Sequence, residues 1–427
     1  MRKITLSALG IFAGILSIFS QEKTDSTTFK SKKLSLEEIN IVSSYYHQDG
    51  NNSAITGGIG TEKLSDYANF INIKLNKYNK KELKHSIDLE IGIDHFTSAS
   101  SDNVSPNTGT NASTSSVDAK DTRINPAINW QVENEKKGTT FGTGLSVSSE
   151  FDYLSFGANF IYGKKFNQNN SEISGKVQVY IDQLKLVYPA ELIPISAASS
   201  NGGHDDDDDK YISNFEEEEE EGKSEGKYPT RLRNSFSNSI TFAQIINKNI
   251  QVAFTADAVY QNGYLGLPFH RVYFNDNSVA VENLPSNRFK LPLAVRGSFF
   301  IGDRFIIRSF YRFYYDTWNL KSNTFNLETP IKITPFVSVS PFYRFYQQNG
   351  IKYFAPYKIH SKNEQYFTSN YDLGKFISHF VGAGIRLAPP NGIFNLKHFN
   401  MIEVRYGYYL KNIGMKAQIV SLNLKFK

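Results

Sequence analysis

From Leu36 to the C-terminus, apolar and polar residues alternate in short runs separated by clusters of Asn, Gly, Asp and Ser. Ile71, Ile73 and Leu75 alternate with Asn72, Lys74 and Asn76, and Ile87, Leu89, Ile91 and Ile93 with Asp88, Glu90, Gly92 and Asp94. The same rhythm returns at Leu154–Tyr162, Leu291–Ile301, Phe305–Tyr315, Val381–Leu387 and Ile402–Leu410. Strand side chains point to opposite faces in turn, so each run has one apolar and one polar side. The last run is the clearest. Val420, Leu422, Leu424 and Phe426 share one face, and Ser421, Asn423, Lys425 and Lys427 the other. Lipid outside and water inside demand this pattern, and it predicts an all-β, transmembrane antiparallel barrel.

Counting the runs predicts about 16 strands, within a range of 14 to 18. The breaks between them alternate in length. Short ones fall near Lys77–Lys81, Asn134–Gly138, Asn167–Ser171, Asn247–Asn249, Gly302–Asp303, Pro335 and Pro389–Asn391. Long ones fall at His47–Asp66, Ser98–Asp121, Pro189–Thr230, Asn262–Asn287 and Gln348–Lys375. With both chain ends periplasmic, every long break lands outside, as barrels with short periplasmic turns and long extracellular loops require. Three further outer loops, near Glu150, Lys321 and Asn412, are expected to be short.

The N-terminus changes the reading of compartment. Arg2 and Lys3 precede an apolar run from Ile4 to Phe19 that ends in Ser20-Gln21-Glu22. That predicts a cleaved signal peptide over 1–20, a periplasmic segment over 21–35 and a barrel over 36–427 in the outer membrane of a Gram-negative cell. The run is short for a membrane helix. The chain has no Cys, which excludes a lipoprotein anchor, disulfides and thiol chemistry. Mean hydropathy is only −0.40 although aromatics reach 14%, a pairing that a water-lined barrel with aromatic girdles accounts for.

Charge is divided along the chain. The formal +5 falls to +3 without Arg2 and Lys3, and His204–Gly226 holds five Asp, seven Glu and two Lys, a net of −10. Taking −10 from +3 leaves about +13 on the rest. One acidic extracellular loop, within 189–229, offsets a basic body.

Tyr45-Tyr46-His47-Gln48-Asp49-Gly50-Asn51-Asn52-Ser53-Ala54-Ile55-Thr56-Gly57-Gly58-Ile59-Gly60-Thr61-Glu62-Lys63-Leu64 resembles the opening block of a domain-of-unknown-function family of Bacteroidota outer-membrane β-barrel proteins. So does Ser98-Ala99-Ser100-Ser101-Asp102-Asn103, followed by Asp121-Thr122-Arg123. The resemblance is distinctive over residues 36 to 123 and implies a fold and a compartment but no activity. The acidic run and the Ser/Thr stretch before Asp121 look like insertions particular to this chain.

Three groups of residues carry candidate chemistry. His47, Asp49, Asn51, Ser53, Thr56 and Glu62 place polar ligand types among glycines, and Ser100, Asp102, Asp121 and Arg123 would emerge beside them two strands away. That set suits a partner protein or a hard cation such as Ca²⁺, or simply a loop folded by Asx-turns. His204, Asp205, Asp206 and Asp207 open the acidic run, where dense carboxylates attract divalent cations but mutual repulsion favours a solvated loop. Placing apolar residues outward turns Arg231, Arg233, Arg296, Arg308, Arg312, Arg344, Arg386 and Arg405 inward, and with them Asp88, Glu90, Asp94, Glu133 and Asp182. Arginine on one wall and carboxylate on the other would set a transverse field across a pore, or the two would pair and fill it.

No HExxH, P-loop or dinucleotide-binding pattern is present, so an outer-membrane enzyme is the least favoured expectation. Export and barrel periodicity place the chain away from nucleic acid. The leading expectation is a porin-like channel for small polar or anionic solutes embedded in outer-membrane lipid. The alternative is a filled barrel that anchors loops binding a surface or periplasmic protein, or a divalent cation.

Overall fold

The computed structural model describes residues 32–97, 120–189, 192 and 229–427. Its strands are β1 (Lys32–Asp49), β2 (Leu64–Tyr78), β3 (Lys84–Thr97), β4 (Lys120–Asn134), β5 (Thr139–Ser149), β6 (Tyr153–Phe166) and β7 (Ser171–Lys185). They continue as β8 (Thr230–Asn247), β9 (Ile250–Gly263), β10 (Arg271–Tyr273), β11 (Val279–Val281), β12 (Asn287–Ile301), β13 (Phe305–Asp316) and β14 (Lys321–Glu328). The last are β15 (Ile331–Lys332), β16 (Val337–Gln348), β17 (Phe376–Leu387), β18 (Phe399–Lys411) and β19 (Lys416–Phe426).

All but β10 and β11 lie in one antiparallel sheet of 17 strands, which closes through β1 and β19. Closure runs without a break from Ile39 opposite Phe426 to Asp49 opposite Lys416. β14 and β15 both sit between β13 and β16 and form one pass, so the wall is a closed barrel of 16 crossings. The gap between them holds Thr329 and Pro330, and proline has no N–H to give the ladder.

The apolar residues of the alternating runs point outward. Leu145 is 62% exposed, Ile240 and Ile385 are each 59% and Phe156 is 55%, on strands spread around the wall. No water-soluble monomer presents an apolar belt of that extent, whereas lipid covers it. No helix among the described residues is long and apolar enough to cross a membrane; the strands do the crossing.

The connections sort by length to opposite ends. At one end lie 79–83, 135–138, 167–170, 248–249, 302–304 and 333–336. At the other lie the long segments 50–63, 264–286 and 349–375 and the short loops 150–152, 317–320 and 412–415, and β3, β4, β7 and β8 also have their ends toward the intervening residues 98–119 and 190–228 there. Two boundaries differ from the sequence expectation. β1 opens at Lys32, four residues before Leu36 and inside the segment expected to be periplasmic, because register shifts at Lys32/Ser35 and Leu36/Glu38 break the two-residue rhythm there. The turn expected at Pro389–Asn391 is a longer connection, 388–398, containing a 3₁₀ turn at Ile393–Asn395. The predicted signal peptide falls outside the described residues.

Asp316 fixes the outer end of the wall. It is fully buried and takes hydrogen bonds from Arg288 Nε at 2.9 Å, Tyr314 Oη at 2.7 Å, Trp318 N at 2.9 Å and Leu320 N at 3.2 Å. The Arg288 guanidinium lies 4.2 Å from the Trp318 ring centre. Removing the carboxylate leaves a buried cation and two loop amides unpaired. Asp316→Ala is therefore expected to lower barrel stability by about 3–5 kcal/mol, read from urea unfolding in lipid vesicles, with Asp316→Asn losing less.

Candidate functional site: the lumen and its roof

In the closed ring β3 and β13 stand diametrically opposite. β3 turns Asp88, Glu90 and Asp94 to the lumen, on the face opposite Leu89, Ile91 and Ile93, which are exposed to lipid. β13 turns Arg308 and Arg312 inward, and its neighbours add Arg296 on β12, Arg344 on β16, Arg386 on β17 and Arg405 on β18. Arg296, Arg308, Arg312, Arg344 and Arg386 are solvent-exposed although they point into the barrel. Water therefore reaches the middle of the lumen.

Part of this charge is paired and part is left open. On the outer side Arg123 Nη2 lies 2.6 Å from Asp94 and its Nη1 3.6 Å from Glu150. Asp182 is buried and accepts from Ser155 Oγ at 2.7 Å and Arg233 Nε at 2.9 Å, with the Arg233 guanidinium over the Tyr153 ring. On the inner side Lys165 Nζ lies 2.7 Å from Glu133. Arg405 is held between Glu328 at 3.0 Å and Glu403 at 2.9 Å. Among the described residues, Asp88, Glu90, Arg296, Arg308, Arg312, Arg344 and Arg386 make no ion pair. Paired and open charges stand side by side in one lumen: Arg308 lies opposite the paired Glu328 in the ladder, and Arg386 opposite the paired Glu403.

The outer mouth carries a roof. β1 and β2 lie across the ring from β9 and β12, yet the loops above them meet. Arg271 Nη1, on the β10–β11 hairpin, donates to Ile55 O at 2.8 Å. Gly57, at φ 79°, lies flat on Tyr273, where a Cβ would stand 2.5 Å from the ring. The third loop, 349–375, joins both sides. Gly58 abuts Ser369, and Asn283 and Phe367 exchange backbone hydrogen bonds of 3.1 and 2.8 Å. Inside the roof, Thr368 Oγ1 donates to Glu282 at 2.7 Å, and Glu282 also accepts from Leu267 N at 2.6 Å. His360 is buried between Glu364 at 2.7 Å and Thr368 O at 2.9 Å, and His270 Nδ1 lies 3.3 Å from Glu282. Trp318, Leu320 and Ile351 form the apolar core beneath, packed against Leu265, Leu284 and Tyr353.

The loop residues singled out from sequence are dispersed by this arrangement. His47 Nδ1 meets Ser65 Oγ at 2.8 Å at the rim. Asp49 and Asn51 are exposed, while Ser53 is buried with its carbonyl accepting from Thr56 N and Gly58 N. Thr56 Oγ1 bonds Ile59 O within the same loop. Glu62 places a buried Oε2 with no hydrogen-bond partner. Burial, chiefly, pushes its carboxyl above the ordinary range; a backbone N–H from Asn52 opposes this, Asp372 adds to it, and Lys411 opposes it. Asp121 accepts from Phe151 N at 3.2 Å, and its carboxylate lies within 4.8 Å of those of Glu150 and Asp152. Glu150 and Asp152 are pushed upward, first by burial; Asp121 raises both further, while Arg123 opposes the shift at Glu150. Ser100, Asp102, His204, Asp205, Asp206 and Asp207 lie outside the described residues.

Sequence reading missed the roof and its buried polar residues His270, Glu282, His360 and Thr368. A signal was present: 349–375 carries Tyr353, Phe354, Tyr357, Tyr366, Phe367 and Tyr371, more aromatic rings than a solvated loop needs.

Residues 4–421 match the family model described as Protein of unknown function (DUF3570). No curated protein matches the chain. Among solved structures, the chain is similar to OccK9 (OpdG) of Pseudomonas aeruginosa, with 8% identity, TM-score 0.41, and 92% of this chain and 98% of that one covered. It is also similar to a BenF-like porin from Pseudomonas fluorescens Pf-5, with 7% identity, TM-score 0.41, and 91% and 98% covered. A third similarity is to OccK2 (OpdF) of Pseudomonas aeruginosa in complex with glucuronate, with 6% identity, TM-score 0.40, and 91% and 96% covered. These are likenesses of overall plan.

Two expectations follow from the roof. Replacing 50–63 by a short Gly-Ser turn opens the mouth, and single-channel conductance in planar bilayers is expected to rise. Glu62 gives a pH dependence whose sign is fixed. Its folded pKa lies above the unfolded one, so the charged form weakens the roof at neutral pH, and the penalty disappears as pH falls through the raised value. Hydrogen exchange of the 50–63 amides is expected to slow on that acidification, and Glu62→Gln to slow it already at pH 7.

Proposed function

The chain belongs to the family Protein of unknown function (DUF3570), and we propose that it is an outer-membrane channel for small polar and anionic solutes. One observation carries the reading: a water-accessible lumen holds arginines without an ion pair on β12, β13, β16 and β17, across the ring from Asp88 and Glu90 on β3, which make none either among the described residues. A filled structural barrel pairs its interior charges, because an unpaired charge out of water costs several kcal/mol. Charges left open are charges that water and solutes meet. Low-dielectric walls concentrate the field between them, so an anion is drawn along the arginine wall while its polar groups orient across the lumen. The roof then acts as a sieve at the entrance.

The roof also favours a second reading, in which the barrel anchors a loop platform that holds a partner protein or a divalent cation. Conductance separates the two. Arg308→Ala with Arg312→Ala is expected to lower the anion-to-cation permeability ratio several-fold in planar bilayers, and Asp88→Asn with Glu90→Gln to raise it. A protein that stays silent even with 50–63 replaced is an anchor, and the channel reading falls.

A further inference from the structure

The arginine wall holds one recess that is more than a stretch of charge. It measures ≈160 Å³ and lies on the inner faces of β14, β16, β17, β18 and β19, lined by Asn326, Phe342, Arg344, Phe380, Arg405 and Ser421, among others. A glycine, Gly407, enters its lining. Gly382 and Gly407 face each other in the register of β17 and β18, and both lie beneath aromatic rings. A Cβ on Gly407 would stand 2.4 Å from Phe380, and one on Gly382 would stand 2.5 Å from Phe342. The two glycines let the rings settle against the sheet, with centroids 5.1 Å apart and planes inclined by 47°.

Each ring carries a guanidinium. Arg405 lies 5.0 Å from the centre of Phe342 and Arg344 5.8 Å from that of Phe380. The two cations differ in what they have left to offer. Arg405 is fixed by Glu328 and Glu403, both on its Nη1. Arg344 makes no ion pair among the described residues and has its five donors to present. Arg308 stands beside Glu328 in the ladder and Arg386 beside Glu403, so four arginines oppose two carboxylates and the neighbourhood is net positive by two.

Resting on the reading of the lumen as a solute path, we propose that this recess is a binding subsite for a flat-ringed organic carboxylate. The ring would lie against Phe342 and Phe380, in the offset or tilted contact that aromatic rings prefer, and the carboxylate would meet Arg344 as a charge-assisted pair. The volume suits one six-membered ring, since a protein cavity of about 150 Å³ accommodates benzene. An inorganic anion uses the arginine and makes no ring contact. A small aliphatic acid does the same, and a cation is repelled.

The test is equilibrium binding of benzoate and of acetate to the purified barrel in detergent, beside bilayer selectivity measurements on the same preparations. Benzoate is expected to bind at least about tenfold more tightly than acetate. Arg344→Met is expected to weaken benzoate by about tenfold or more, the range for a charge-assisted hydrogen bond. Phe380→Leu is expected to narrow the benzoate-to-acetate ratio while leaving acetate unchanged. Arg344 is exposed, so its variant carries the test even where a ring substitution prevents folding. Equal affinity for the two acids, or benzoate binding indifferent to Arg344→Met, overturns the subsite. Anion conductance without ring preference removes the subsite and leaves the channel. Benzoate binding through Arg344 in a barrel that does not conduct removes the channel and leaves the subsite.

Discussion

The closed ladder between β1 and β19 is the constraint on which the rest depends. In hydrocarbon an unpaired backbone N–H or C=O costs several kcal/mol, so a sheet that crosses lipid has to end where it began. Closure assigns every side chain to lipid or to the lumen by parity alone. Leu422 and Leu424 lie outside because Ser421 and Asn423 lie inside, and the register Ile41 opposite Leu424 carries that division across the seam. The arginine wall, the acidic strip on β3 and the recess at Gly407 are consequences of the same parity.

Within the lumen, some charges order the wall and others stay open. Near the outer end, Asp182 and Asp316 are buried and fully bonded, each gripping an arginine and tying neighbouring strands together. Such hubs would be costly if half-satisfied, so they rigidify the wall where loops depart. Elsewhere on the wall Arg308, Arg312 and Arg344 are exposed to water instead, where charge is cheap to keep and free to act. The same residue types therefore hold the barrel together at some positions and shape the field of the lumen at others.

The barrel was legible in the sequence because its signal is local. Period two, turn residues and loop lengths are all read within a few positions of each other, and they placed the long loops at one end and the inward arginines on the second half of the chain. β1 was read short at its start because bulges between Lys32 and Glu38 spoil the period there. The roof was not legible for the opposite reason. Arg271 and Ile55 are 216 positions apart and meet only because the ring brings β1 and β9 face to face across the mouth. No pattern within either loop encodes the other's position. What the sequence did carry was composition: the Ser/Thr-rich segment 98–119 has almost no apolar anchor, whereas 349–375 is crowded with rings that require something to cover.

Glycine in the barrel strands points the same way. A strand interior gains nothing from Gly on entropic grounds, so an inward Gly marks a place where something else needs the room. At Gly382 and Gly407 the occupants are Phe342 and Phe380, whose rings would be forced up into the lumen by any β-carbon. The roof over the mouth and the ring platform in the wall are then two uses of one device, close approach of an aromatic ring to bare backbone. Gly57 against Tyr273 closes the entrance by it, and Gly407 against Phe380 hollows the wall by it. A substitution at either glycine acts through the ring it displaces, so the shape of the path is set as much by the residues that lack side chains as by the arginines that line it.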